Sequence, residues 1–67
     1  MKIKEMRELC KPLRIVVEER WSNGFIVAAR EEHEIIEGLV PLGFKVKGIG
    51  IGRDLNRGLC FLYAEKE

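Results

Sequence analysis

The 67-residue chain has no threonine, one serine, one histidine, two cysteines and no apolar run near the roughly 18 residues a membrane helix needs. Each scarcity excludes something. Ser22 sits in a turn signal and His33 must serve every base role, so nucleophilic catalysis has little to draw on and no enzyme is expected. Cys10 and Cys60 lie fifty positions apart without a CxxC spacing. One histidine and two scattered thiols fall short of the four ligands of a structural zinc site, so no metal and no cofactor is expected. The N-terminus alternates charged and apolar residues and shows no signal-peptide core, which points to a cytoplasmic setting with free thiols and no membrane contact. One-sided charge is missing too. Twelve Lys and Arg against eleven Asp and Glu leave +1, which excludes a wholesale basic coat for nucleic acid.

What remains is 46% apolar and 34% charged, the balance of a folded domain, not of a disordered tail. A single small domain spanning 1–67 is expected, one that buries only about 60% of its unfolded surface.

Ile3, Met6, Leu9 and Cys10 recur at helical spacing and predict a short amphipathic helix over 3–10, stopped by Pro12. Residues 13–21 are rich in β-branched types and predict a strand with Leu13, Ile15, Val17 and Trp21 on its apolar face. The turn Ser22-Asn23-Gly24 admits two registers. A three-residue loop with Gly24 left-handed pairs Trp21 with Phe25 and gathers the large apolar groups on one face, so it is favoured over a two-residue Asn-Gly loop. A strand over 25–28 follows.

From Arg30 to Val40 the period becomes helical, with Ile35, Ile36, Leu39 and Val40 as the stripe and Glu31, Glu32 and Glu34 in the first turn. Gly38 in mid-helix suggests close packing on the sheet. Pro41 and Gly43 end the helix. His33 with Glu37 one turn on reads best as a solvated helix face. Residues 44–51 predict a third strand whose alternation breaks at Gly48, where a β-bulge would return Phe44, Val46, Ile49 and Ile51 to one face. A loop over 53–58 leads to a last strand over 59–64, apolar on both sides: Phe61 and Tyr63 on one, Cys60 and Leu62 on the other. No internal repeat, linker or low-complexity segment is evident.

The order α-ββ-α-ββ predicts an α+β fold, a four-stranded, mainly antiparallel sheet with one main helix packed on one face. Val16, Ile26, Cys60 and Leu62 then point to a second face that needs cover. A homodimer burying Ile26 and Leu62 is expected, with the N-terminal helix as the competing cover.

Charge is segregated. Residues 1–14 carry five basic and two acidic groups, 15–37 two and six, and 38–67 five and three. The distinctive stretch is Lys45-Val46-Lys47-Gly48-Ile49-Gly50-Ile51-Gly52-Arg53. It lacks the spacing of a dinucleotide fingerprint or a P-loop, and its glycines read best as close backbone packing. Lys45, Lys47, Arg53 and Arg57 are the candidate binding residues for nucleic acid or phosphate, with Phe61 or Tyr63 for stacking.

Leu42-Gly43-Phe44-Lys45-Val46 after an acidic-apolar helix, and a hairpin ending Leu62-Tyr63-Ala64-Glu65-Lys66, resemble the last third of a GNAT-type acetyltransferase over residues 25–66. The family's Arg/Gln-x-x-Gly-x-Gly/Ala cofactor loop has no counterpart here, so the resemblance implies a shared strand-helix-hairpin pattern and no seat for acetyl-CoA. The function expected is a non-enzymatic interaction module that self-associates and contacts another macromolecule, such as a second protein. The alternative is a nucleic-acid binder using the basic, glycine-rich third strand and the loop after it.

Overall fold

The computed structural model describes residues 1–67, the side chain of Ile51 excepted. Helix α1 runs Ile3–Cys10 and buries Met6 and Cys10, four apart and so on one side. Its first turn is closed by Glu5, whose Oε1 accepts the Lys2 N–H at 2.8 Å. A 3-10 turn, Lys11–Leu13, follows; Pro12 stops the helix, and Arg14 reverses the chain in the left-handed conformation at φ 60. Strands β1 (Val16–Trp21) and β2 (Gly24–Ala29) form the first hairpin.

The plan then repeats. Helix α2 (Glu32–Leu39) buries Ile35 and Leu39, and Glu34 Oε1 takes the Glu31 N–H at 3.0 Å. A second 3-10 turn, Val40–Leu42, contains Pro41, and Gly43 reverses the chain at φ 91. Strands β3 (Phe44–Asp54) and β4 (Leu59–Lys66) make the second hairpin. Met6, Cys10, Pro12, Leu13, Ile15 and Val17 thus occupy the places of Ile35, Leu39, Pro41, Leu42, Phe44 and Val46, each 29 positions on. The chain is two αββ units, which corrects the expectation of no internal repeat.

The sheet is fully antiparallel in the order β1-β2-β4-β3, which reads the same from either edge when the units are exchanged. The two inner strands meet with Val27 opposite Leu62. Both helices lie on one face. Met6, Cys10, Ile35 and Leu39 enclose Val17, Phe25, Val27, Ala29, Phe44, Leu62 and Ala64 in one core, and no polar residue is buried among those described. So there is no single main helix, and α1 is not available to cover the second face.

Three local expectations are also corrected. The first hairpin turns on Ser22 and Asn23, with Trp21 opposite Gly24 and Arg20 opposite Phe25. Ser22 takes the positive φ, at 53, not Gly24. Val17 and Phe25 still share the helix side because a bulge between Val17 and Glu19 makes the shift assigned to the loop. On β4 the sides are exchanged: Cys60, Leu62 and Ala64 face the helices, while Phe61 and Tyr63 face away with Trp21. Finally, β3 pairs with β4 as far as Gly48 and resumes at Arg53, so residues 49–52 stand opposite Phe61 alone. That bulge is wider than one residue, and whether Ile51 rejoins the apolar side lies outside the described residues.

Candidate functional site

The four candidate cations do not form one patch. Lys45 and Lys47 project from the edge strand β3 on the helix-free face, opposite Glu65 and Tyr63. Arg57 belongs to the structure instead. Its Nε donates to Asp54 Oδ2 at 2.8 Å, its Nη2 reaches Glu18 Oε1 at 2.5 Å, and its guanidinium lies 5.8 Å from the Phe61 ring centre. The Arg57 guanidinium in turn holds the Asp54 carboxyl below its ordinary range. Arg53 points to the helix side at the end of the sheet, where its Nη1 sits 3.5 Å from both the Arg30 and Gly58 carbonyls.

On the helix-free face, Trp21 meets Tyr63 edge to face at 5.7 Å and remains 53% exposed. Tyr63 needs Gly24 beneath it: a Cβ there would come within 2.8 Å of the ring and 2.3 Å of the Ala64 carbonyl. The Tyr63 hydroxyl donates to Glu65 Oε1 at 2.7 Å, and that bond, then burial, raises its pKa. These groups, with Ser22, Lys47 and residues 48–50, line a cleft of about 470 Å³. Gly48 and Gly50 do not mark close packing as expected, since nothing lies within 4 Å of a Cβ built on either. Their bare backbone faces open space. Gly38 behaves as expected, with Ile15 Cδ1 3.2 Å from its Cβ position.

Ile26 and Leu62, expected to share an interface, lie on opposite faces. Leu62 pairs with Val27 and sits in the helix-covered core; Ile26 pairs with Tyr63 on the far side and is itself buried. The reason is the exchanged parity of β4, which an apolar run on both sides conceals. Both thiols are free. Cys10 is enclosed and burial pushes its pKa to about 11, while Cys60 is half-buried with Sγ 3.7 Å from the Arg30 carbonyl. His33 is exposed on α2. Among the described residues no cluster of three His, Cys, Asp or Glu is placed to hold a metal ion. No helix is long and apolar enough to cross a membrane.

A second cleft, of about 360 Å³, opens at the end of the sheet where β1 and β4 begin, lined by Arg14, Arg30, Glu34 and Leu59. Arg53 stands beside it on the Arg30 carbonyl. Of these only Arg53 is visible as a candidate in the sequence. Arg14 follows Pro12 and Arg30 follows β2; their one shared signal is that each flanks a strand of the first hairpin at the same end of the sheet. Trp21 was readable as apolar but not as the exposed wall of a cleft, because its side depends on the bulge at Glu18.

No protein-family model, curated protein or solved structure matches the chain. The resemblance to GNAT-type acetyltransferases therefore rests on Leu42-Gly43-Phe44 and the last hairpin alone.

Proposed function

We propose that the chain is a non-enzymatic interaction module of the cytoplasm that self-associates through the helix-free face of its sheet and contacts another macromolecule. The observation that carries this is the placement of both helices on one face. The other is left with Trp21 and Val16 at 53% and 44% exposure beside Ile26, Phe61 and Tyr63, without a second layer. Fully covering an apolar side chain contributes on the order of 1.5–3 kcal/mol, so the half-exposed Trp21 and Val16 stand to gain about half of that each. A second copy fits the charge layout of that face. Glu19 lies on β1 at one edge, next to the Glu18 that Arg57 engages, and Lys45 and Lys47 lie on β3 at the other. Stacking two sheets about an axis parallel to the strands sets β1 of one against β3 of its partner. Trp21 is the only tryptophan, so its emission reports the face directly. Dimerisation shifts that emission to shorter wavelength as concentration rises. A constant, water-like emission from nanomolar to micromolar protein would remove the proposal.

Nucleic-acid binding on the same face is the second reading, favoured by Lys47 in one cleft with Trp21 and Tyr63. A gel shift with mixed DNA and RNA probes tests it. A complex that weakens steeply with salt supports it, and no complex at low salt removes it.

A further inference from the structure

The two ends of the sheet correspond under exchange of the αββ units, yet they are built differently. At one end Gly43 holds the left-handed position ahead of β3, and Lys66 closes over it: its Nζ lies 4.9 Å from the Phe44 ring centre and donates to the Leu42 carbonyl. At the other end the same position is held by Arg14, at a φ that glycine adopts freely and side-chain-bearing residues resist. The cap Arg14 makes, from its N–H to the Lys11 carbonyl, needs no side chain.

Its side chain instead lines the 360 Å³ cleft with Arg30, Glu34 and Leu59, and Arg53 joins from β3 through the Arg30 carbonyl. Among the described residues the ion pairs are those of Arg57 with Glu18 and Asp54, so none of these three guanidiniums has a carboxylate partner. Glu34 is the one acid on the cleft wall, and its Oε1 is engaged by the Glu31 N–H. Two cations thus line the cleft and a third stands beside it, from three separate segments, one of them kept at a strained position where its counterpart is glycine. Gathering like charges costs energy that a bound anion recovers, and guanidinium forks match phosphate oxygens two at a time.

The geometry points to a binding site for a phosphate group at Arg14, Arg30 and Arg53, separate from the helix-free face. The group belongs either to a free phosphate compound or to the backbone of a single-stranded nucleic acid. Titrating the ¹⁵N-labelled chain at fixed, low ionic strength with pyrophosphate, and separately with a short thymidine oligonucleotide, tests the site. Amide shifts are expected to concentrate at Arg14, Arg30, Arg53 and Leu59. Affinity falls roughly fivefold or more in Arg30→Gln and in Arg14→Gly. Arg14→Gly should lose binding while its unfolding temperature rises, which separates loss of the site from loss of the fold. Tighter binding of the oligonucleotide assigns the nucleic-acid source, and tighter binding of pyrophosphate assigns the free compound. Absence of localised shifts with both probes at millimolar concentration, or unchanged affinity in both variants, overturns the site.

Discussion

The first αββ unit is the spare version and the second the elaborated one. Both have an eight-residue helix ending in an X-Pro-Leu turn and a left-handed residue. In the first, β1 and β2 are joined by Ser22 and Asn23 alone. In the second, β3 runs eleven residues, widens at 49–52 and continues into a four-residue loop carrying Asn56 and Arg57. Core positions correspond closely between the units while exposed ones do not: Ile15 and Phe44 are both buried, but Val16 corresponds to Lys45 and Arg14 to Gly43. The shared part is what folding requires. The departures — Trp21, the widened β3, and Arg14 — line the two clefts.

The largest test of this comparison removes equivalent core residues. Leu39→Ala is expected to cost about 3 kcal/mol and Cys10→Ala about 1 kcal/mol, because both sites are fully enclosed but leucine gives up more volume. Urea unfolding measures both. A cost below that of Cys10→Ala at Leu39 would mean that α2 does not hold its half of the core.

Cys10 also makes one unit sensitive to alkali. Its folded pKa of about 11 stands above the ordinary 9.0, so the neutral thiol is favoured by folding. That contribution is whole below pH 9, falls as pH rises through the folded value, and amounts to a loss of about 1 kcal/mol by pH 10. The slope should become shallower in Cys10→Ala, leaving the part that the raised Tyr63 hydroxyl contributes, and a thiol reagent should label Cys60 before Cys10 in the folded protein. Equal labelling rates would contradict the enclosure of Cys10.

The smallest effect has opposite signs in the two units. Arg14→Gly is expected to stabilise by roughly 0.5–1 kcal/mol and Gly43→Ala to destabilise by a similar amount, since only the left-handed conformation is at stake. Thermal unfolding of the two variants side by side checks this. A stabilising Gly43→Ala would remove the correspondence between the two turns.

Periodicity located both helices and all four strands to within a few residues, because Met6, Cys10, Ile35 and Leu39 keep helical spacing and β1 to β3 have readable boundaries. Sheet faces were harder. β4 is apolar on both sides, so Leu62 and Tyr63 carry no parity signal, and the bulge at Glu18 shifts β1 without a glycine or proline to announce it. The repeat was hidden because only the Pro-Leu pair and a few apolar positions coincide, and because the second hairpin is longer by nine residues. Of the candidate site, Lys47 and Arg53 were legible as basic residues. Their neighbours Trp21, Arg14 and Arg30 come from distant segments, and only the pairing of the two hairpins into one sheet brings them together.

The central claim is that the face without helices meets a second copy of the chain. Sedimentation equilibrium at micromolar concentration tests it most directly, on the natural chain and on Trp21→Glu, with circular dichroism to confirm that the variant is folded. The natural chain should sediment at twice its 7.7 kDa mass and Trp21→Glu at 7.7 kDa. A natural chain at 7.7 kDa throughout the concentration range, or a folded Trp21→Glu that remains dimeric, would contradict it.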